Sequence, residues 1–355
     1  MPKSAEMLPG LMVKLAEMRK LRVIPVLKSI ARRAHLDSAA RFANRKRLLI
    51  VTYHGLREDA SPHRHWLLLP LSEFARQMQH LRSHYNVVRL DDAIRELDTE
   101  SVSEPRACIT FDDGYRSNLD LALPVLRELG LPATIFLPTG LIGTTKLLWT
   151  TRVDLGLQKA DAAARQQIAN CLGLTARLNS PHFAFLVSDT LKTMRPDRRD
   201  EMLDRFDAFL PPVSELESKP FEFLTWSDVG AMEATNLISF GAHTVNHEIV
   251  RNLDDQALRE EIRGSLDALA QRCQRSSRVF AYPNGREVDF DDRAARILEQ
   301  SGCAAAVSTI EGLNRAGTPR YALRRISIGA ELEFSEFRLK VSGFDAHVRR
   351  LIRRA

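Results

Sequence analysis

From Arg47 onward, short apolar runs alternate with segments whose apolar residues recur at helical spacing, and this alternation constrains the fold more than any other feature. The runs fall at 47–53, 86–90, 107–111, 133–137, 237–242, 279–282 and 304–308. Helical patterns occupy 71–85, 117–129, 226–234, 255–272 and 291–300; in the first, Ser72 is the expected cap and Phe74, Met78, Leu81 and Tyr85 share a face. Strands separated by crossover helices pair in parallel. Seven or eight such units favour a closed or nearly closed barrel over an open sheet, although periodicity alone leaves both open. Residues 144–222 interrupt the alternation with helical patterns at 162–172 and 197–210 and a Pro211-Pro212 break, and are expected to form a helical insertion near the barrel mouth.

Two motifs sit where such a fold places chemistry, at the C-terminal ends of strands. Thr110-Phe111-Asp112-Asp113-Gly114 closes one apolar run, and His243-Thr244-Val245-Asn246-His247 closes another. Asp-Asp-Gly alone is a common turn sequence, and a lone His pair is usually surface or core. Together they supply a carboxylate and two imidazoles, with one carboxylate to spare. Four residues apart, the histidines are expected on one face of a helical turn. Asp113, His243 and His247 are the expected ligands of a divalent cation, at about 2.0–2.2 Å. Three protein ligands leave a position for water, and Asp112 is the expected general base. Zinc is the expected metal, with cobalt or nickel as substitutes. A third element, Phe280-Ala281-Tyr282-Pro283-Asn284-Gly285, forms a tight loop after a strand and can hold a backbone N–H toward an oxyanion.

The ordered set TFDDGY, HTVNH and FAYPNG resembles the polysaccharide deacetylase family, carbohydrate esterase family four, over roughly 48–328. The resemblance implies a distorted (β/α) barrel of about seven strands that removes acetyl groups from N-acetylhexosamine units of a polysaccharide, oligosaccharide or glycoconjugate. It implies Asp112 as base, Asp113, His243 and His247 as metal ligands, Tyr282 as backbone donor to the oxyanion, and Thr244 as support for the histidine motif. Two departures stand out. Phe280 occupies the position where many members carry an Arg that orients the base, which Arg324 or Arg325 would replace. The late Leu-x-His that supplies the general acid is missing, and His54 of Tyr53-His54 is the expected substitute. Tyr115, Thr244, Pro283, Asn284, Arg325 and Trp149 complete the expected substrate-binding set, with Trp226 and Asp154 as weaker wall residues. Two other classes remain in view: a carbohydrate-binding protein on the same barrel without turnover, and a metal-independent glycosidase using paired carboxylates. A serine acyl-hydrolase is disfavoured, since no G-x-S-x-G elbow occurs.

Charge is unevenly placed. Residues 1–47 hold 12 Lys/Arg against 3 Asp/Glu within a chain of net charge +6. Leu8, Leu11, Met12, Leu15 and Met18 recur at helical spacing, flanked by Lys14, Arg19, Lys20 and Arg22. Residues 1–46 are thus expected to form a basic helical extension, either lying on an anionic membrane surface or packed on the body. The barrel is expected over 47–330, followed by a basic tail at 331–355. Nucleic-acid binding is not expected, because no zinc-finger or RNA-binding signature accompanies the charge. Cys108, Cys171, Cys273 and Cys303 lie far apart, which fits a reducing compartment. With no signal-like or membrane-spanning run, the expected location is cytoplasmic, either free or peripheral at the inner membrane face.

Overall fold

Ten strands organise the chain in the computed structural model, which describes residues 36–98, 104–175, 177–180 and 182–344. They are β1 (Leu48–Tyr53), β2 (Gly55–Arg57), β3 (Leu68–Pro70), β4 (Asn86–Val87), β5 (Arg106–Phe111), β6 (Ala133–Leu137), β7 (Ile238–Ala242), β8 (Ser276–Ala281), β9 (Ala305–Glu311) and β10 (Leu323–Ser327). The order β1-β10-β9-β8-β7-β6-β5 closes on itself because β1 pairs with both β10 and β5. All seven strands run parallel, so the molecule is a distorted (β/α) barrel. Strands β1, β5 and β6 are buried at every position, as both faces of a parallel sheet require.

The seven barrel strands are not the seven apolar runs. The run at 86–90 yields only the two-residue β4, which shares one edge of β5 with β6, and Leu90 already opens the helix Leu90–Arg95. The closing strand is β10, Leu-Arg-Arg-Ile-Ser, whose paired arginines hide it from any search for apolar runs. Ser72 does not cap the helix Leu71–His84; its hydroxyl donates to Asp59 Oδ1 at 2.7 Å, and Pro70 precedes the first turn.

Period-two alternation sorts the strand residues. Leu48, Ile50, Cys108, Phe136, Val279, Val307 and Leu323 form one cluster inside the barrel, joined by Leu90, Ala93, Ile94 and Leu97. The larger cluster packs the outer strand faces against the surrounding helices. Between β6 and β7 the chain builds helices Trp149–Lys159, Ala162–Leu172, His182–Leu191 and Pro196–Asp207, which share a core of their own around Val153, Ile168, Phe183, Val187 and Phe206.

Of the basic terminal segments, residues 1–35 and 345–355 lie outside the described residues. The helix Asp37–Ala43 packs on the helix Phe334–Val341 through an Arg338–Asp37 ion pair at 2.8 Å. Asn44 Nδ2 donates to the Ser342 carbonyl at 2.9 Å, and Tyr85 Oη to the Val341 carbonyl at 3.0 Å. Both helices thus sit beside the residues that lead into β1 and β4, at the end of the barrel where its strands begin. Among the described residues no helix is long and apolar enough to cross a membrane.

Candidate active site

At the opposite end, where the strands finish, three side chains converge. Asp113 Oδ1 lies 3.2 Å from His247 Nε2 and 3.6 Å from His243 Nε2. One ligand atom from each residue falls within 4.8 Å of the others. Burial opposes ionisation of Asp113, but hydrogen bonds from His243 and His247 outweigh it and hold the carboxyl well below its ordinary value. His243 Nδ1 lies 2.7 Å from the Ala281 carbonyl. An oxygen that only accepts fixes a proton on Nδ1, so Nε2 is the ring nitrogen that would bind a cation. A carboxylate oxygen and imidazole nitrogens presented in this way fit a divalent cation.

The loop that delivers both histidines is not a helical turn, contrary to the spacing argument. Thr244 and His247 adopt φ values of 62° and 61°, and the His243 and His247 rings meet with centroids 4.8 Å apart. Among the described residues five non-glycine positions have positive φ, and Asp113, Thr244, His247 and Asn284 are four of them. Such conformations persist only where surroundings impose them, and they gather at functional sites. The imposing group is Glu261, on the helix Asp255–Arg272. Its carboxylate accepts the N–H of Val245 at 2.8 Å, the N–H of Asn246 at 2.9 Å and Asn246 Nδ2 at 2.7 Å. Thr244 Oγ1 accepts the Glu248 N–H at 3.1 Å. Replacing Glu261 by Ala is expected to lower zinc affinity about 10-fold or more, read by calorimetric titration, while the thermal midpoint shows that the barrel remains folded.

Asp112 points into the barrel. Arg325, wholly buried, grips it with two bonds of 2.7 Å and donates through Nε to the Ser308 carbonyl at 2.8 Å and through Nη1 to Thr52 Oγ1 at 3.0 Å. Burial alone would raise the Asp112 carboxyl, yet Arg325 brings it below the ordinary value. Arg325 therefore lies behind Asp112, with its guanidinium bonded to protein groups on three neighbouring strands. Arg324, its neighbour, is exposed. Phe280, at the position of the missing Arg, is buried core.

His54 leaves β1 half-buried. Burial lowers its pKa, with Asp113 and Asp112 pulling the other way, so it stands within electrostatic reach of both carboxylates. Tyr282 does not offer a free donor: its N–H bonds the Val307 carbonyl at 3.2 Å, and its ring is buried, stacked on Phe290 at 4.3 Å. Two residues on, past the buried Pro283, Asn284 (φ 60°) has its carbonyl held by Thr309 Oγ1 at 2.7 Å, and its N–H has no hydrogen-bond partner among the described residues. Tyr115 is 1% exposed and stacks on Phe223; its hydroxyl is buried without a hydrogen bond, as is that of Thr151. Burial, reinforced by the Asp113 charge, pushes the Tyr115 phenol well up.

Trp149 lies under the Arg199 guanidinium at 5.2 Å, and Trp226 under Arg272 at 4.8 Å. Arg199 also pairs with Glu248 at 2.6 Å, so the helices between β6 and β7 grip the residue that follows His247. Asp154 pairs with His65 Nε2 at 2.8 Å. Glu261, the Arg199–Glu248 pair and Trp66 were not legible in the sequence. Glu261 and Arg199 act through partners distant along the chain, and only the cluster His63, His65 and Trp66 hints at the third.

The polysaccharide deacetylase family model matches residues 99–306. The chain is similar to YxkH of Bacillus subtilis (strain 168), with 21% identity over 293 residues that span 82% of this chain and 75% of that protein. Among solved structures it is similar to the Streptococcus pyogenes deacetylase PplD in complex with acetate, at TM-score 0.56 and 18% identity, covering 84% of this chain and 99% of that one. It is also similar to BC0361, a polysaccharide deacetylase from Bacillus cereus, at TM-score 0.53 and 17% identity, covering 84% and 69%. At these identities the structural likeness concerns the barrel.

Proposed function

Because this chain belongs to the polysaccharide deacetylase family, and so is a deacetylase-type hydrolase, we propose that it removes acetyl groups from N-acetylhexosamine units in a metal-dependent reaction. The observation that carries this reading is the convergence of Asp113, His243 and His247 with the Arg325-held Asp112 beside them. A bound zinc ion, or cobalt or nickel in its place, would lower the pKa of a water from about 16 to near 7 and polarise the acetyl oxygen. Asp112 takes the proton from the attacking water, and Arg325 keeps that carboxylate ionised and aimed. The oxyanion that forms on the acetyl carbon is met by a backbone N–H of the loop after β8; we assign Asn284 rather than Tyr282, whose N–H is already bonded. His54 then gives a proton to the departing amine.

The test is acetate release from a panel of acetylated amino-sugar oligomers, with and without chelator. Loss of release on chelation and its return with zinc are expected. Release of reducing sugar that survives chelation would instead identify a glycosidase, and sugar binding without any release a non-catalytic relative. We further assign residues 1–46 a contact with an anionic membrane surface, on the strength of their sequence charge. Deleting residues 1–35 is expected to abolish sedimentation with anionic vesicles and leave acetate release intact. The cysteines are unpaired thiols, which suits a cytoplasmic working place.

A further inference from the structure

The aromatic side chains expected to wall the site are covered: Tyr115 is buried, and the Trp149 and Trp226 rings lie beneath guanidinium groups. Trp66 is different. It stands between β2 and β3, in the segment that follows β1 at the mouth, and the residue is 57% exposed. The segment is fixed at three points. The Trp66 carbonyl accepts the Ala330 N–H at 3.0 Å, the Leu67 N–H donates to His65 Nδ1 at 3.2 Å, and the Leu67 carbonyl accepts the Gly55 N–H at 3.0 Å. The ring rests on His65, with centroids 6.0 Å apart and planes inclined by 28°. His65 is itself buried, edge-on to Phe221 at 4.9 Å and paired with Asp154. The other neighbour is His54, whose ring meets the indole edge-to-face at 5.8 Å.

Resting on the deacetylase reading above, we propose that Trp66 is the floor of a second sugar subsite, which takes the pyranose ring next to the N-acetylhexosamine undergoing reaction. A rigid aromatic plane held open beside the strand ends suits the C–H face of a pyranose. Because the backbone and the supporting His65 are already ordered, binding costs little further entropy. His54 follows Tyr53, whose carbonyl accepts the Asp112 N–H at 2.9 Å, so contact with His54 places this floor beside the reacting centre.

The test compares N-acetylglucosamine with its β-1,4-linked trimer. In the Asp112→Asn background, isothermal titration calorimetry reads trimer binding without turnover. Trp66→Ala is expected to weaken trimer binding about tenfold and leave the monosaccharide unchanged, and Trp66→Phe to recover most of the loss. With Asp112 intact, the Ala variant is expected to raise KM for the trimer and leave KM for the monosaccharide unchanged. Equal trimer affinity of Trp66→Ala and its parent, whether both are tight or both nil, overturns the subsite, as does an equal loss for monosaccharide and trimer. Trimer binding that depends on Trp66 without acetate release from the wild type would remove the deacetylase reading and keep the subsite.

Discussion

Asp112→Asn is expected to reduce kcat by about 10²–10⁴-fold, the usual contribution of a positioned general base. Asn matches the carboxylate in size and still accepts a hydrogen bond from Arg325, but it cannot take a proton from water. The ligand set Asp113, His243 and His247 is untouched, so zinc titration should give a near-wild-type affinity. Activity within a few-fold of wild type would mean that another group removes the proton, and the role given to Asp112 would fall.

Arg325→Met carries the largest expected loss of stability. The guanidinium is wholly buried, and its removal leaves the Asp112 carboxylate in the barrel interior without its counter-charge. Removing one member of a buried ion pair costs about 3–5 kcal/mol, well beyond the ~0–1 kcal/mol of an exposed pair. Urea denaturation should register that loss, and acetate release should fall with it, because the base is no longer held. Combining Arg325→Met with Asp112→Asn removes the orphaned charge, so the double variant should be less destabilised than the two single losses added together. Strict additivity would show that the two residues act on stability separately.

How far the sequence discloses this molecule depends on whether a feature is local. The carboxylate pair and the histidine pair are contiguous and sit at strand ends, so spacing alone assembles them into one site. The conformation of the histidine loop is not local: a period of four suggests a helix, but Glu261, 14 residues beyond His247, pulls the loop into two left-handed positions. Strand β10 escapes notice because one of its arginines faces water and the other fills the barrel interior in place of a hydrocarbon side chain. The same interior arginine answers the missing Arg at Phe280, on a strand far from the expected place. For Tyr282, the motif identifies the loop but not the register of its free amide, which depends on the β9 carbonyl that already holds one N–H. Trp66 left no periodic trace, since exposure is a property of neighbours.

Uniform strand direction also fixes where the two ends of the described chain emerge relative to the chemistry. Leu36 and Phe344 belong to segments that pack beside the strand starts, whereas the carboxylates and imidazoles crown the strand finishes. Six residues of extended chain separate those levels by about 20 Å. Any tether formed through either end thus attaches on the side of the barrel away from the carboxylates and imidazoles.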